Sequence, residues 1–222
     1  MNSLILSKTY EAPALCKKEI LRYAGCQEAD GGITALLESC AEEARDKLTY
    51  KVCYRELPLT VDGDVCDFEV FRLRSSHLAC NLKDCKRVIV FAATVGVGID
   101  RLIAKYGRLS PAKALMLQAI GAERIEALCD AFCEDIENEL HAGQRPRFSP
   151  GYGDLPLTAQ KYIFSVLDCG KRIGLVLNDS LLMSPSKSVT AFVGIGGEKN
   201  NTKTDAVFVR CGTAHSEVLY DL

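Results

Sequence analysis

The sequence has no surplus of either charge. Its 222 residues carry 27 Lys+Arg against 29 Asp+Glu, a formal net charge of −2. That excludes the broad basic field by which many proteins hold nucleic acid through its phosphates. Nor is there a run of about 18 apolar residues, so no transmembrane helix is expected. The start, Met1 to Lys8, lacks the charged-then-apolar layout of a signal peptide, and a cytoplasmic location is expected. Histidine is scarce: His77, His141 and His215 lie far apart, none in a nucleophile–base arrangement. No Gly-x-Ser-x-Gly elbow and no Walker A sequence occurs, which leaves hydrolase and ATPase chemistry unsupported.

Cysteine, by contrast, is plentiful. The eleven are odd in number, scattered and often flanked by core-type residues, as in Val52-Cys53-Tyr54 and Leu128-Cys129-Asp130. A disulfide framework needs an oxidising compartment, to which nothing in the sequence points. Reduced cysteines used as small buried apolar residues are the simpler reading, and a metal or redox cluster is the alternative.

The length suits one domain spanning residues 1–222 with a sizeable core. Apolar spacing predicts helices over 12–24, with Leu15, Ile20 and Leu21 as its apolar face, and over 34–48, separated by a break at Gly31-Gly32. Residues 50–59 and 68–73 read as a hairpin around Asp62-Gly63. Ser75-Ser76 caps a short helix to about Leu82. Arg87 to Thr94 is a strand whose continuous apolar run predicts burial on both faces. A helix over 99–106 follows, and Pro111 opens the longest one, to Leu140, with Leu128, Phe132, Ile136 and Leu140 as its core stripe. Beyond it, 157–168 reads as a helix, and 173–177, 181–183, 188–195 and 206–211 as short strands, with a polar turn at Asn200-Asn201. Mixed strands and helices with hairpin-length connections predict an α+β fold, a twisted antiparallel or mixed sheet flanked by helices.

Four places carry candidate chemistry. Gly96 and Gly98, after a buried strand, could cradle a phosphate or simply make a tight strand–helix turn; Arg101 stands where the dinucleotide fingerprint needs a third glycine. Gly194 to Gly197 is most simply a hairpin turn. Cys129 and Cys133 share a helix face, but no third ligand lies near them in sequence. On that same face, among Ala119, Ala122 and the two cysteines, stands Glu126, an acceptor on an otherwise small, uncharged surface. Glu123, expected to be the more exposed, is its competitor. The densest stretch is Arg147-Phe148-Ser149-Pro150-Gly151-Tyr152-Gly153-Asp154-Leu155-Pro156. Arginine offers a planar fork for a carboxylate, Pro150 stiffens the chain, Gly151 permits close backbone approach, and Tyr152 adds a ring and a hydroxyl. Such a set suits a small zwitterion with an α-carboxylate, or a plain structural connector.

At this stretch the sequence resembles the activation (reactivation) domain of cobalamin-dependent methionine synthase, whose S-adenosylmethionine motif Arg-x-x-x-Gly-Tyr reads here Arg147 to Tyr152. The resemblance runs in order through Phe91-Ala92-Ala93-Thr94-x-Gly96, Glu126-Ala127, Pro156, Lys161, Gly174, Asp179-Ser180, Met183-x-Pro185 and Ser188-Val189. It is strongest over residues 86–195, and the N-terminal 50 residues are only loosely comparable. It implies an α+β domain around a twisted antiparallel sheet. It also implies that Arg147 binds the ligand carboxylate, that Glu126 faces polar groups of S-adenosylmethionine, and that Ser149, Gly151 and Tyr152 line the site. Where the family has another glutamate this chain has His141, and a family tyrosine falls near Asn201. An Asp-x-His-x-x-Gly cobalamin sequence is absent. The resemblance therefore implies a free-standing module. It would work in trans on a cobalamin-binding methionine synthase or other corrinoid protein, with flavodoxin or ferredoxin as electron donor, to reactivate cobalamin by reductive methylation. A partner-binding module of the same fold that has lost the ligand, and a cysteine-based metal or redox protein, are the alternatives.

Overall fold

The computed structural model describes residues 4–26 and 29–196. The expected strand at 206–211, the turn at Asn200-Asn201 and His215 lie outside them. In chain order the elements are β1 (Leu6–Tyr10), α1 (Lys17–Tyr23), α2 (Gly31–Arg45), β2 (Tyr50–Pro58), β3 (Thr60–Asp62), β4 (Val65–Asp67) and β5 (Arg72–Arg74). There follow α3 (Ser76–Asn81), β6 (Arg87–Thr94), α4 (Val97–Leu109) and α5 (Pro111–Leu140). A 3₁₀ turn (Leu157–Ala159), α6 (Gln160–Leu167), α7 (Cys169–Ile173), β7 (Val176–Leu177), β8 (Met183–Ser184) and β9 (Ser188–Ile195) complete the described residues.

The centre is a four-stranded sheet in the order β1-β2-β6-β9, with every pair antiparallel. Its register sets Tyr54 opposite Phe91 and Phe91 opposite Ala191. Because side chains alternate along a strand, each strand feeds two cores. Val52, Ile89, Phe91 and Val193 point to one face, covered by α1, α2, α4 and α5. Cys53, Val88, Val90 and Phe192 point to the other, covered by α3, α6, α7 and the small β3-β4-β5 sheet. The continuous apolar run of β6 is the sequence's answer to this two-sided burial.

Helix α5 is the spine of the first face. Pro111 suits its first position, and a run of Ala, Leu, Gln and Glu sustains it for 30 residues, a length of about 45 Å. It ends at His141, whose left-handed φ of 49° turns the chain. Phe132 sits between Tyr54 and Phe91, with ring centroids 5.1 and 4.8 Å away. A fully buried ring of this size contributes about 1.5–3 kcal/mol of hydrophobic stabilisation.

Several expectations need correction. The first helix starts at Lys17, not residue 12, and Leu15 is exposed. Gly31-Gly32 does not break the chain: the Asp30 carboxylate accepts from the Ile33 N–H and caps α2, which makes the glycines its first turn. The expected hairpin does not form: Tyr50–Pro58 pairs with β1 and β6 in the central sheet, and β3, β4 and β5 make a separate three-stranded meander, with a turn at 68–71 where Glu69 has φ 64°. Residues 169–173 form a helix closed by Gly174, and only Val176–Leu177 remain of the strand expected at 173–177. The strand β1 was not foreseen.

Candidate functional site

The segment 143–148, leaving α5, runs along the outer edge of β9. Phe148 and Phe192 exchange backbone hydrogen bonds at 2.9 Å, and the Arg145 N–H donates to Gly194 at 2.9 Å. Phe148 packs into the second face with Phe192. Alternation then sends its neighbour Arg147 to the first face, towards α5.

There the guanidinium meets a row of side chains spaced four and three residues apart on one helix face. Arg147 Nη1 donates to Asp130 Oδ1 at 2.6 Å, and Nη2 to Glu126 Oε2 at 3.1 Å. Cys133 Sγ lies 3.9 Å from Nη1. The arginine and Glu126 side chains are 25% and 26% exposed, Asp130 72%. Burial opposes the charge on Arg147, but its neighbours on α5, the two thiols and Asp130, outweigh it and hold the group above its ordinary pKa. Burial pushes both thiols up, Cys129 far up, despite the nearby guanidinium. Near neutral pH they are therefore neutral, and the carboxylates are the charges that hold Arg147. Tyr23, at the end of α1, belongs to the same neighbourhood: burial and the charge of Glu126 raise its phenol.

Glu123 is not the exposed competitor expected. It is buried, with Arg124 against it: Arg124 Nε and Nη2 each lie 2.5 Å from a Glu123 oxygen. Arg124 also donates to the carbonyls of Pro13 and Ala14, and Glu123 accepts from the Cys16 N–H at 3.0 Å. This pair ties residues 13–16 to α5 and leaves Glu126, on the next turn, as the carboxylate that meets Arg147. Of the small face expected around it, Ala119 and Cys129 are core.

Ser149, Gly151 and Tyr152 form the tight turn after Arg147. The Tyr152 N–H donates to the Ser149 carbonyl at 3.2 Å, the Gly151 N–H to the Leu155 carbonyl at 2.9 Å, and the Leu155 N–H to the Tyr152 carbonyl at 2.9 Å. Gly151 is exposed at φ 93°, a conformation that requires glycine. The turn is fastened to α3 by Asp154. Its carboxylate accepts from the Ser75 hydroxyl, the Ser76 N–H and hydroxyl (2.7 and 2.6 Å) and the His77 N–H (3.2 Å). These donors, Ser75 first, depress its pKa strongly. Asp130 as a partner of Arg147, and Asp154 as the anchor of the turn, escaped the sequence reading. The spacing of Asp130, four residues after Glu126, is the signal that could have found it.

The glycine pair 96/98 makes a tight strand–helix turn. A Cβ on Gly98 would come within 2.0 Å of the Lys47 carbonyl oxygen, and Gly96 sits at φ 82°. Gly194 is a strand residue, not part of a turn. Among the described residues no group of three or more His, Cys, Asp or Glu is placed to hold a metal ion, and no helix is long and apolar enough to cross a membrane.

An antiparallel sheet with helices on both faces is an architecture shared with a solved reactivation domain. The MetH reactivation domain, solved as a crystal structure bound to AdoHcy, superposes with a TM-score of 0.63. At 16% identity, the match covers 86% of this chain and 78% of that one. No curated protein matches the chain. Residues 78–202, more than half of the sequence, match the family described as vitamin B12 dependent methionine synthase, activation domain, and the chain belongs to that family.

Proposed function

We propose that the chain binds S-adenosylmethionine beside Arg147 and supports reductive methylation of a cobalamin held by a methionine synthase or corrinoid module outside these residues. The observation that carries this reading is the half-buried Arg147, held over Glu126 by an edge segment, in a chain of the activation-domain family. The residues fit such a ligand. A guanidinium matches an α-carboxylate, and the Glu126 carboxylate is an acceptor for an ammonium or a ribose hydroxyl. Gly151, exposed and without a Cβ, lets a ligand approach the backbone, and Ser149 and Tyr152 flank it.

When bound, S-adenosylmethionine supplies a sulfonium-activated methyl group, the cobalamin supplies the acceptor, and a small electron-transfer protein such as flavodoxin or ferredoxin supplies the electron. The chain's own work is orientation. Arg147 fixes the amino-acid end, Glu126 fixes the direction of the rest, and the rigid turn 149–155 sets the distance between ligand and docked partner. Titration calorimetry with S-adenosylmethionine tests the reading: the wild type should bind and Arg147→Ala should lose at least tenfold, about 1.4 kcal/mol. Absence of binding by the wild type, or equal binding by both, contradicts it.

A second reading keeps the fold and the docking but not the ligand. It is favoured by Arg147 already having two carboxylate partners, which suffices for a purely structural tie between the edge segment and α5. Capture of a corrinoid protein at equal strength with and without S-adenosylmethionine would support it.

A further inference from the structure

Arg147 divides its fork between two carboxylates one helical turn apart, and the two are not equivalent. Glu126 lies deep in the contact, while Asp130 is 72% exposed and reaches the guanidinium at 2.6 Å from the solvent side. A ligand α-carboxylate engages a guanidinium best through two parallel N–H···O bonds, which needs an Nη that Asp130 now occupies. Release of Asp130 returns a carboxylate to water at little cost, because an ion pair with an exposed partner contributes little. Release of Glu126 would strand a charge in a half-buried position. The exposed partner is the one a ligand displaces.

We infer that Asp130 is an internal stand-in for the ligand's carboxylate: it holds Arg147 in place in the empty site and competes with the incoming amino-acid group for the same Nη. This inference deepens the proposed function and rests on it. An equilibrium in which part of the population has its binding arginine occupied lowers apparent affinity by the free fraction. It also keeps Arg147 from folding onto other acceptors between ligands, so the site stays preformed. The competition is specific to the carboxylate. A nucleoside that lacks the amino-acid tail has nothing to exchange with Asp130.

The test is calorimetry on wild type and Asp130→Asn with three ligands: S-adenosylmethionine, S-adenosylhomocysteine and 5′-methylthioadenosine, which lacks the amino-acid tail. Asp130→Asn keeps the shape, loses the charge and, being at an exposed position, should lower the melting temperature by no more than a few degrees. It should bind the first two ligands about two- to fivefold more tightly, the range an exposed ion pair allows, and methylthioadenosine as the wild type does. Unchanged or weaker binding of the two amino-acid ligands overturns the inference, as does equal tightening of all three. Weaker binding of S-adenosylmethionine alone would mean that Asp130 attracts the sulfonium instead. Each of these outcomes leaves the proposed function standing, whereas absence of S-adenosylmethionine binding by wild type and variant alike overturns both.

Discussion

On the face covered by α3, α6 and α7, the sheet meets carbon, sulfur and neutral polar groups. Phe192 stacks with Phe68 at 5.3 Å, and the thiols of Cys53 and Cys169 lie 3.9 Å apart. On the face covered by α5, the same sheet sits under the two charged side chains buried among the described residues, Glu123 and Arg124, and beside the half-buried Arg147. Non-directional packing is enough to hold the sheet on the α3, α6 and α7 side. The α5 side needs directional contacts, because it fixes two irregular segments, 13–16 and 143–148, against one helix. Buried charge on this side is the means by which loops that carry no regular structure are placed to hydrogen-bond accuracy.

Three changes would break or sharpen this contrast. The largest effect is expected from Glu123→Ala, which leaves Arg124 buried and unpaired. Chemical denaturation should show a loss of about 3–5 kcal/mol, and adding Arg124→Met should recover much of it. A loss no larger than that of a surface substitution would show the charged face to be no more demanding than the other. Next is Ser75→Ala on the opposite face. It removes both the cap on the Leu78 N–H and one donor to Asp154, and should cost about 1 kcal/mol by thermal unfolding. The smallest effect is expected from Asp135→Asn on α5, opposite the edge strand β1. Lys8, then Tyr10, hold the Asp135 carboxyl below its ordinary 3.8 through hydrogen bonds. A depressed carboxyl stabilises the fold above its unfolded pKa and ceases to do so as pH falls through its folded value. At neutral pH the variant should therefore be less stable by at most about 1 kcal/mol, given its exposure. The gap to wild type should close below about pH 4, and a gap that widens there contradicts the assignment.

Legibility in the sequence followed the strength of local rules. Arg87–Thr94, Ser188–Ile195 and Pro111–Leu140 stand where apolar runs and a first-turn proline put them. The strand β1, LSKTY, was invisible because it is an edge strand with little burial, held through backbone pairing to β2 that only the tertiary fold provides. Residues 173–177 read as a strand, yet Cys169–Ile173 is a helix that Gly174, at φ 71°, closes, and only Val176–Leu177 stay extended. At the site, Arg147 and Glu126 were legible by residue type. Asp130 was legible only as a neighbour of Glu126 on the same helix face, four residues on; that a segment 17 residues further on lies across that face comes from the tertiary fold. Glu123 was misjudged for the same reason: its neighbour Arg124 turns inward to reach Pro13 and Ala14, far off in sequence.

The strip 143–148 along β9 has a consequence for behaviour at high concentration. An open strand edge is a template for another chain, and proteins with long apolar edges aggregate through them. Here the apolar outer strand is already paired along Phe192 to Gly196 by the segment that bears Arg147. At the opposite margin, β1 is short and carries Lys8, a charge that discourages further pairing. Loosening 143–148 would therefore do more than misplace an arginine: it would uncover an edge rich in Val, Ile and Phe and make the domain prone to self-association.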